Sequence, residues 1–153
     1  MTRYAADTSV PVERSRSEIE GTLQRFGAEK FMSGWDQEKA VIAFVFKGRA
    51  IRFQLKLPDK SKFSRTPARG HPRSPDEIQR AWEQACRESW RVLALMIKAK
   101  LVAVTRGDVS FEDEFLAYTV LPSGGTVSEW LQPQIGEALR TGQMPQTLPL
   151  LPG

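Results

Sequence analysis

Apolar and polar residues alternate over AIRFQLKL (50–57), and AVIAFVF (40–46) just before it is almost wholly β-branched and aromatic. Both patterns predict strands. Lys47-Gly-Arg-Ala50 joins them, and a two-residue turn with Gly48 first predicts a type II′ hairpin. That register pairs Phe46 with Ile51, Phe44 with Phe53 and Ile42 with Leu55 on one face. It sets Arg52, Gln54 and Lys56 beside Val41, Ala43 and Val45 on the other. Phe31-Met-Ser-Gly-Trp35 is expected as a first strand, although Gly34 weakens that pattern.

The helical period appears in two long stretches. Ser15-Arg-Ser-Glu18 has the form of a capping box, followed by Ile19, Leu23 and Phe26 at helical spacing and a stop at Gly27. The dozen residues before it are expected to form a flexible arm (1–12). Ser74-Pro-Asp-Glu77 is the strongest helix start, with a serine cap, proline in the first turn and glutamate completing the box. From there a helix should run to about Thr105, near Gly107. Ile78, Trp82, Ala85, Ser89, Leu93, Met96, Ile97 and Val104 fall on one arc, with Arg80, Gln84, Arg87, Arg91 and Lys98 opposite. Trp90, at the edge of that arc, is a candidate docking residue.

The C-terminal third predicts smaller elements. Phe111–Leu121 reads as a short helix with an acidic start, ended by Pro122-Ser-Gly-Gly125. Thr126-Val-Ser-Glu129 opens another helix, which Pro133 should kink or split. Residues 143–153 carry too many prolines for a helix and are expected to be extended or disordered. The fold class expected is α+β: a three-stranded antiparallel sheet on a short N-terminal and a long central helix, with small C-terminal helices. One domain should span residues 13–142, a size that buries a real core once. Double-stranded-RNA-binding domains share this order of elements. They place lysines where this chain has Asp76-Glu77, so the resemblance is topological only.

Charge adds what periodicity cannot. Nine basic residues against Asp59 give residues 47–73 a net of +8, whereas residues 108–153 carry six acidic residues against Arg140, a net of −5. Much of the excess falls in a proline-broken loop (56–74), KLPDKSKFSRTPARGHPRS. Such asymmetry suits a polyanionic partner. Lys47, Arg49, Arg52, Lys56, Lys60, Lys62, Arg65, Arg69 and Arg73 are the candidate phosphate contacts, on a continuous strand face and loop. Phe63 is placed to stack on a base of a single strand. The bland alternative is a solubilising linker, and for the helix stripe of Arg80, Arg87, Arg91 and Lys98 a solvated face.

Reactive chemistry finds little footing. His71 is the only histidine and lies between Gly70 and Pro72, with little to orient its ring. Cys86, the only cysteine, excludes an internal disulfide and a multi-cysteine zinc site, and reads as a small core residue. Gly124-Gly125 lacks the strand and lysine of a phosphate loop. Glu112, Asp113 and Glu114 are consecutive at a helix start, so they diverge and complement its dipole. Leu-Pro-Asp-Lys (57–60) resembles the opening of a restriction-type nuclease motif, but its acidic-x-lysine partner is missing. No catalytic residue, metal or cofactor is expected. The start, MTRYAADTSV, lacks a signal peptide's pattern, and no apolar run reaches membrane-spanning length.

Three stretches carry a resemblance: SVPVERSRSEIEGTLQRFGA (9–28), AWEQACRESWRVLALMIKAKLVAV (81–104) with FEDEFLAY (111–118), and GGTVSEWLQPQI (124–135). They resemble a family of small uncharacterised proteins of tailed bacteriophages and prophages. That resemblance implies expression in a bacterial cytoplasm and a part in phage DNA metabolism, with no catalytic residue to carry over. Together the readings predict a non-enzymatic nucleic-acid-binding accessory protein for replication, recombination or DNA protection, with DNA favoured over RNA. A phage or host replication or recombination protein is a second partner candidate, no membrane is expected, and an oligomer is compatible with the sequence. The alternative is a protein–protein adaptor or host-factor inhibitor acting through the acidic C-terminal third and its LPLLPG tail.

Overall fold

The apolar face of the hairpin has to be covered, and everything else in the fold is arranged to cover it. The structure, a computed structural model, describes residues 3–36 and 38–145. Helix α1 (Arg3–Arg25) precedes strands β1 (Lys30–Trp35), β2 (Lys39–Phe46) and β3 (Arg49–Lys56), which form an antiparallel sheet in the order β1-β2-β3. Helix α2 (Pro75–Arg106), α3 (Phe111–Glu114) and α4 (Val127–Thr141) follow, with 3-10 turns at Lys60–Phe63 and Leu116–Tyr118. The α+β class and the order of the main elements are as the sequence predicts.

The hairpin register differs from the expected one. Its turn residues are Lys47 and Gly48, both left-handed at φ 49° and 75°, which is the type I′ pattern. Phe46 therefore faces Arg49, Phe44 faces Ile51, and Ile42 faces Phe53, while Lys39 closes the ladder opposite Lys56. In this register every residue of both eight-residue strands is paired. The displacement is two residues, so no side chain changes face. Ala40, Ile42, Phe44, Phe46, Ile51 and Phe53 are all buried.

Helix α1 begins at Arg3, so no arm covers residues 3–12 and Ser15 is not a cap. Val12 supplies the physical reason. It is buried two turns before Ile19 and extends the Ile19–Leu23 stripe upstream, which outweighs the ladder bond that Pro11 removes. Residues 1–2 of the expected arm, and residues 146–153 of the expected tail, lie outside the described residues. Gly27 (φ 96°) follows the end of α1, as expected. Helix α2 starts with the full capping box: Glu77 N–H donates to Ser74 Oγ at 3.2 Å, and Ser74 N–H to Glu77 Oε1 at 3.1 Å. It ends at left-handed Gly107. Trp82, Cys86, Trp90, Leu93, Ile97 and Leu101 face the core. Trp90 is only 2% exposed, so it is no docking residue. Helix α2 packs along α1 as well as under the sheet, and this widens its buried arc.

The segment after α2 also departs from expectation. Its helix breaks at Phe115 (φ −105°, ψ 13°) after one turn. Phe111 and Phe115 are both buried, and Phe115 sits edge-on to Phe44 and Phe53 at 6.1 and 6.2 Å. Tyr118 stacks on Phe53 at 4.1 Å. Positions 111, 115 and 118 would share one face of a continued helix, so the rings alone do not force the break. Beyond it the chain runs along β3, where Thr119 bridges Ile51 and Val120 N–H donates to Ala50 O at 2.9 Å. Pro133 neither splits nor ends α4, which is continuous through it. Phe115→Ala should cost about 3–5 kcal/mol of unfolding free energy, measured by urea titration, as expected for a fully buried aromatic.

Candidate nucleic-acid interface

The basic loop is ordered by hydrogen bonds within it. Asp59 caps its 3-10 turn by accepting from Ser61 N–H at 3.0 Å, and chiefly this bond holds the Asp59 carboxyl below its ordinary value. Thr66 N–H donates to His71 O at 2.9 Å, and Arg73 N–H to Ser64 O at 2.9 Å, closing a small bridge between Arg65 and Pro72. Three prolines deny this stretch a regular ladder, and paired turns are what remains. The loop is also anchored from below. Trp82 Nε1–H donates to Pro58 O at 2.7 Å, and Phe63 is half-buried against the core.

Three of the candidate cations are engaged in holding structure. Arg65 donates to Gly70 O at 2.8 Å, and Arg73 to Phe63 O at 3.2 Å. Arg52 donates to Gly124 O at 2.8 Å and pairs with Glu129 Oε1 at 3.1 Å. It thereby fastens the start of α4 to the outer face of β3, and its Nε is buried without an acceptor. Phe63, packed inward, is not presented to a base. Arg52 and Phe63 are therefore structural residues rather than contacts on a free face.

The remaining cations divide between the two ends of β3. Lys47 and Arg49 flank the hairpin turn, with Lys47 Nζ 5.6 Å from the Phe46 ring centre. Lys56, Lys60, Lys62 and Arg69 lie at the other end, all exposed. Residues 49 and 56 are about 23 Å apart at strand rise, so the expected continuous surface is two patches. Lys39, which composition alone does not single out, joins the larger patch because the register sets it opposite Lys56. Lys60 Nζ stands 4.8 Å from the Trp82 ring centre, a cation–π contact that holds its stem over the domain. Beside it an open cavity of about 360 Å³ is lined by Glu38, Lys56, Leu57, Pro58, Asp59, Lys60 and Trp82.

Acidic groups temper this patch without cancelling it. Asp36 accepts from Lys39 N–H at 2.8 Å and Glu38 N–H at 2.7 Å, and these bonds, Lys39's first, hold its carboxyl below the ordinary range. Among the described residues, no ion pair engages Lys39, Lys47, Arg49, Lys56, Lys60, Lys62 or Arg69. Elsewhere the chemistry is quiet. Cys86 is fully buried, and burial, then the Glu83 carboxylate, push its thiol up to about 11. Glu114 pairs with Lys100 at 3.1 Å, and among the described residues no group of three or more His, Cys, Asp or Glu side chains is placed to hold a metal. His71 is exposed, its backbone N–H donating to Thr66 Oγ1 at 3.0 Å. No helix of the described residues is long and apolar enough to cross a membrane.

Comparison with protein-family models, with curated proteins and with solved structures finds no match to this chain. The resemblance of residues 9–28, 81–104, 111–118 and 124–135 to small phage proteins gains no support from them. Arg52→Ala should lower stability by about 1–2 kcal/mol, the loss expected for charge-assisted bonds. Hydrogen exchange should then quicken through α4 more than through α2.

Proposed function

We propose that this protein is a non-enzymatic nucleic-acid-binding accessory protein, of the kind a bacteriophage supplies for replication, recombination or DNA protection. The observation that carries this reading is the loop end of the sheet. Lys39, Lys56, Lys60, Lys62 and Arg69 are exposed together on a braced scaffold, free of ion pairs among the described residues. A loop backbone ordered before binding loses little entropy on meeting phosphates, and counterion release then favours binding. The contacts would be to phosphates, hence weakly sequence-specific and salt-sensitive.

Fluorescence anisotropy with labelled DNA and RNA, titrated over salt, tests this directly. Replacing Lys60, Lys62 and Arg69 with alanine should weaken binding to every sequence. It should also flatten the log–log salt slope by roughly 2–3, since each lost phosphate contact removes 0.7–0.9. Replacing Lys47 and Arg49, at the other end of β3, should do less. An unchanged affinity in the triple variant would make the loop a linker.

The adaptor reading has its own observation. Helix α4 buries none of its residues, and Leu139 and Met144 are 80% and 75% exposed beside a trough lined by Leu131, Ile135 and Ala138. Under that reading, a chain lacking residues 144–153 should lose a partner in pull-downs while its nucleic-acid affinity stays constant. Retention of the partner would count against it.

A further inference from the structure

Helix α2 carries a second apolar stripe, opposite the one it buries. Val92, Leu95 and Val102 are 62%, 61% and 39% exposed, and Ala99 is exposed between them. With Glu88 and Arg106 they lie within about 60° of Leu95 around the helix axis, at 3.6 residues per turn. A solvated helix face is normally polar, and three branched aliphatics in line are not explained by the fold.

The order of residues along this stripe identifies its occupant. Val92 with Val102, Leu95 with Ala99, and Glu88 with Arg106 share one midpoint, Ile97. An antiparallel copy of the same helix, turned about a twofold axis at that midpoint, therefore meets its own complement. Val92 faces the partner copy's Val102, the large Leu95 faces the small Ala99, and Glu88 faces Arg106 at both ends. We propose that this face of α2 is a homodimer interface, formed by two copies packing α2 antiparallel about Ile97. Isologous interfaces require just this self-complementarity.

Two intrachain bonds must yield or be shared. Gln84 donates to Glu88 Oε1 at 3.1 Å, and Arg106 Nε is 3.0 Å from Asp108. Both are exposed, where such contacts hold side chains weakly, and a guanidinium has further donors for a second carboxylate. Arg91 and Lys98 border the stripe on one flank and repel their counterparts across the axis. One helix pair is also a small interface, spanning about 27 Å from residue 88 to 106. The association is accordingly a weak one, of micromolar range. It stands independently of the nucleic-acid reading.

Sedimentation equilibrium over a wide concentration range tests it. The wild-type mass should rise with concentration towards twice the 17.2 kDa of one chain. Leu95→Asp should stay monomeric throughout and remain folded by circular dichroism, with its melting temperature lowered only slightly, because Leu95 lies outside the buried core. Glu88→Arg should weaken dimerisation roughly tenfold by setting arginine against Arg106 at both ends. Glu88→Arg combined with Arg106→Glu should restore it, since the exchanged charges meet again. A wild-type monomer at every concentration would overturn the proposal. So would a dimer indifferent to Leu95→Asp, which would place the contact elsewhere, or a charge exchange that fails to rescue, which would refute the antiparallel register.

Discussion

Phe115 is wholly buried, edge-on to Phe44 of β2 and Phe53 of β3, and the C-terminal half of the chain is arranged around that fit. The helix that carries Phe111 and Phe115 stops after one turn, and Tyr118 then stacks on Phe53. Residues 119–120 are left lying along β3, where they satisfy backbone groups of an edge strand that otherwise invites association. The turn beyond them brings Gly124 and Glu129 within reach of Arg52. The chain path that follows Phe115 thus also brings Arg52 against the start of α4 and away from the solvent. Packing sets the electrostatics here.

The loop end follows a different logic. Its backbone is held by the bonds of a proline-punctuated chain and by Trp82 beneath, which also holds the stem of Lys60. Arg65 and Arg73 donate to carbonyls through Nη1 alone, so they add to the local field and keep further donors for a phosphate. Lysines supply most of what is left. A compact ammonium on a flexible stem tracks a phosphate backbone without demanding one geometry, which suits binding that reads charge rather than sequence.

The main elements were legible because their signals are local. The capping box at Ser74, the alternation over 50–57 and the stops at Gly27 and Gly107 each act within a few residues, and each appears where the pattern places it. What was not legible depends on distant partners. The two-residue shift in the hairpin leaves every face unchanged, so side-chain pattern alone cannot detect it. Helix α1 extends upstream because Val12 finds a core to enter, and a capping-box motif at Ser15 carries no knowledge of that core. At the candidate site, the charge run marked one basic segment, which the fold divides between the two ends of β3. It could not reveal that Arg52 meets Glu129, 77 residues away, or that Phe63 turns inward. Lys39 enters the patch only through strand register.

The two proposals bear on one another through geometry. In an antiparallel α2 pair centred on Ile97, the helix starts at Pro75, where the basic loops attach, lie about 66 Å apart along the pair. A twofold axis in the plane of the interface keeps equivalent flanks on the same side. The stripes of Arg80, Arg87, Arg91 and Lys98 from both copies would therefore run together between the loops. The cations themselves lie at the level of Trp82, so the two patches are about 45 Å apart along the pair, and a polyanion must span that length to meet both. If both proposals hold, the phosphate contacts of the two copies act in concert, with the second loop's binding made intramolecular by the first. Repulsion between Arg91 and Lys98 across the axis opposes the free dimer, and the same charges are neutralised once a polyanion lies along them. On this argument nucleic acid and self-association are thermodynamically linked, each strengthening the other by the same factor.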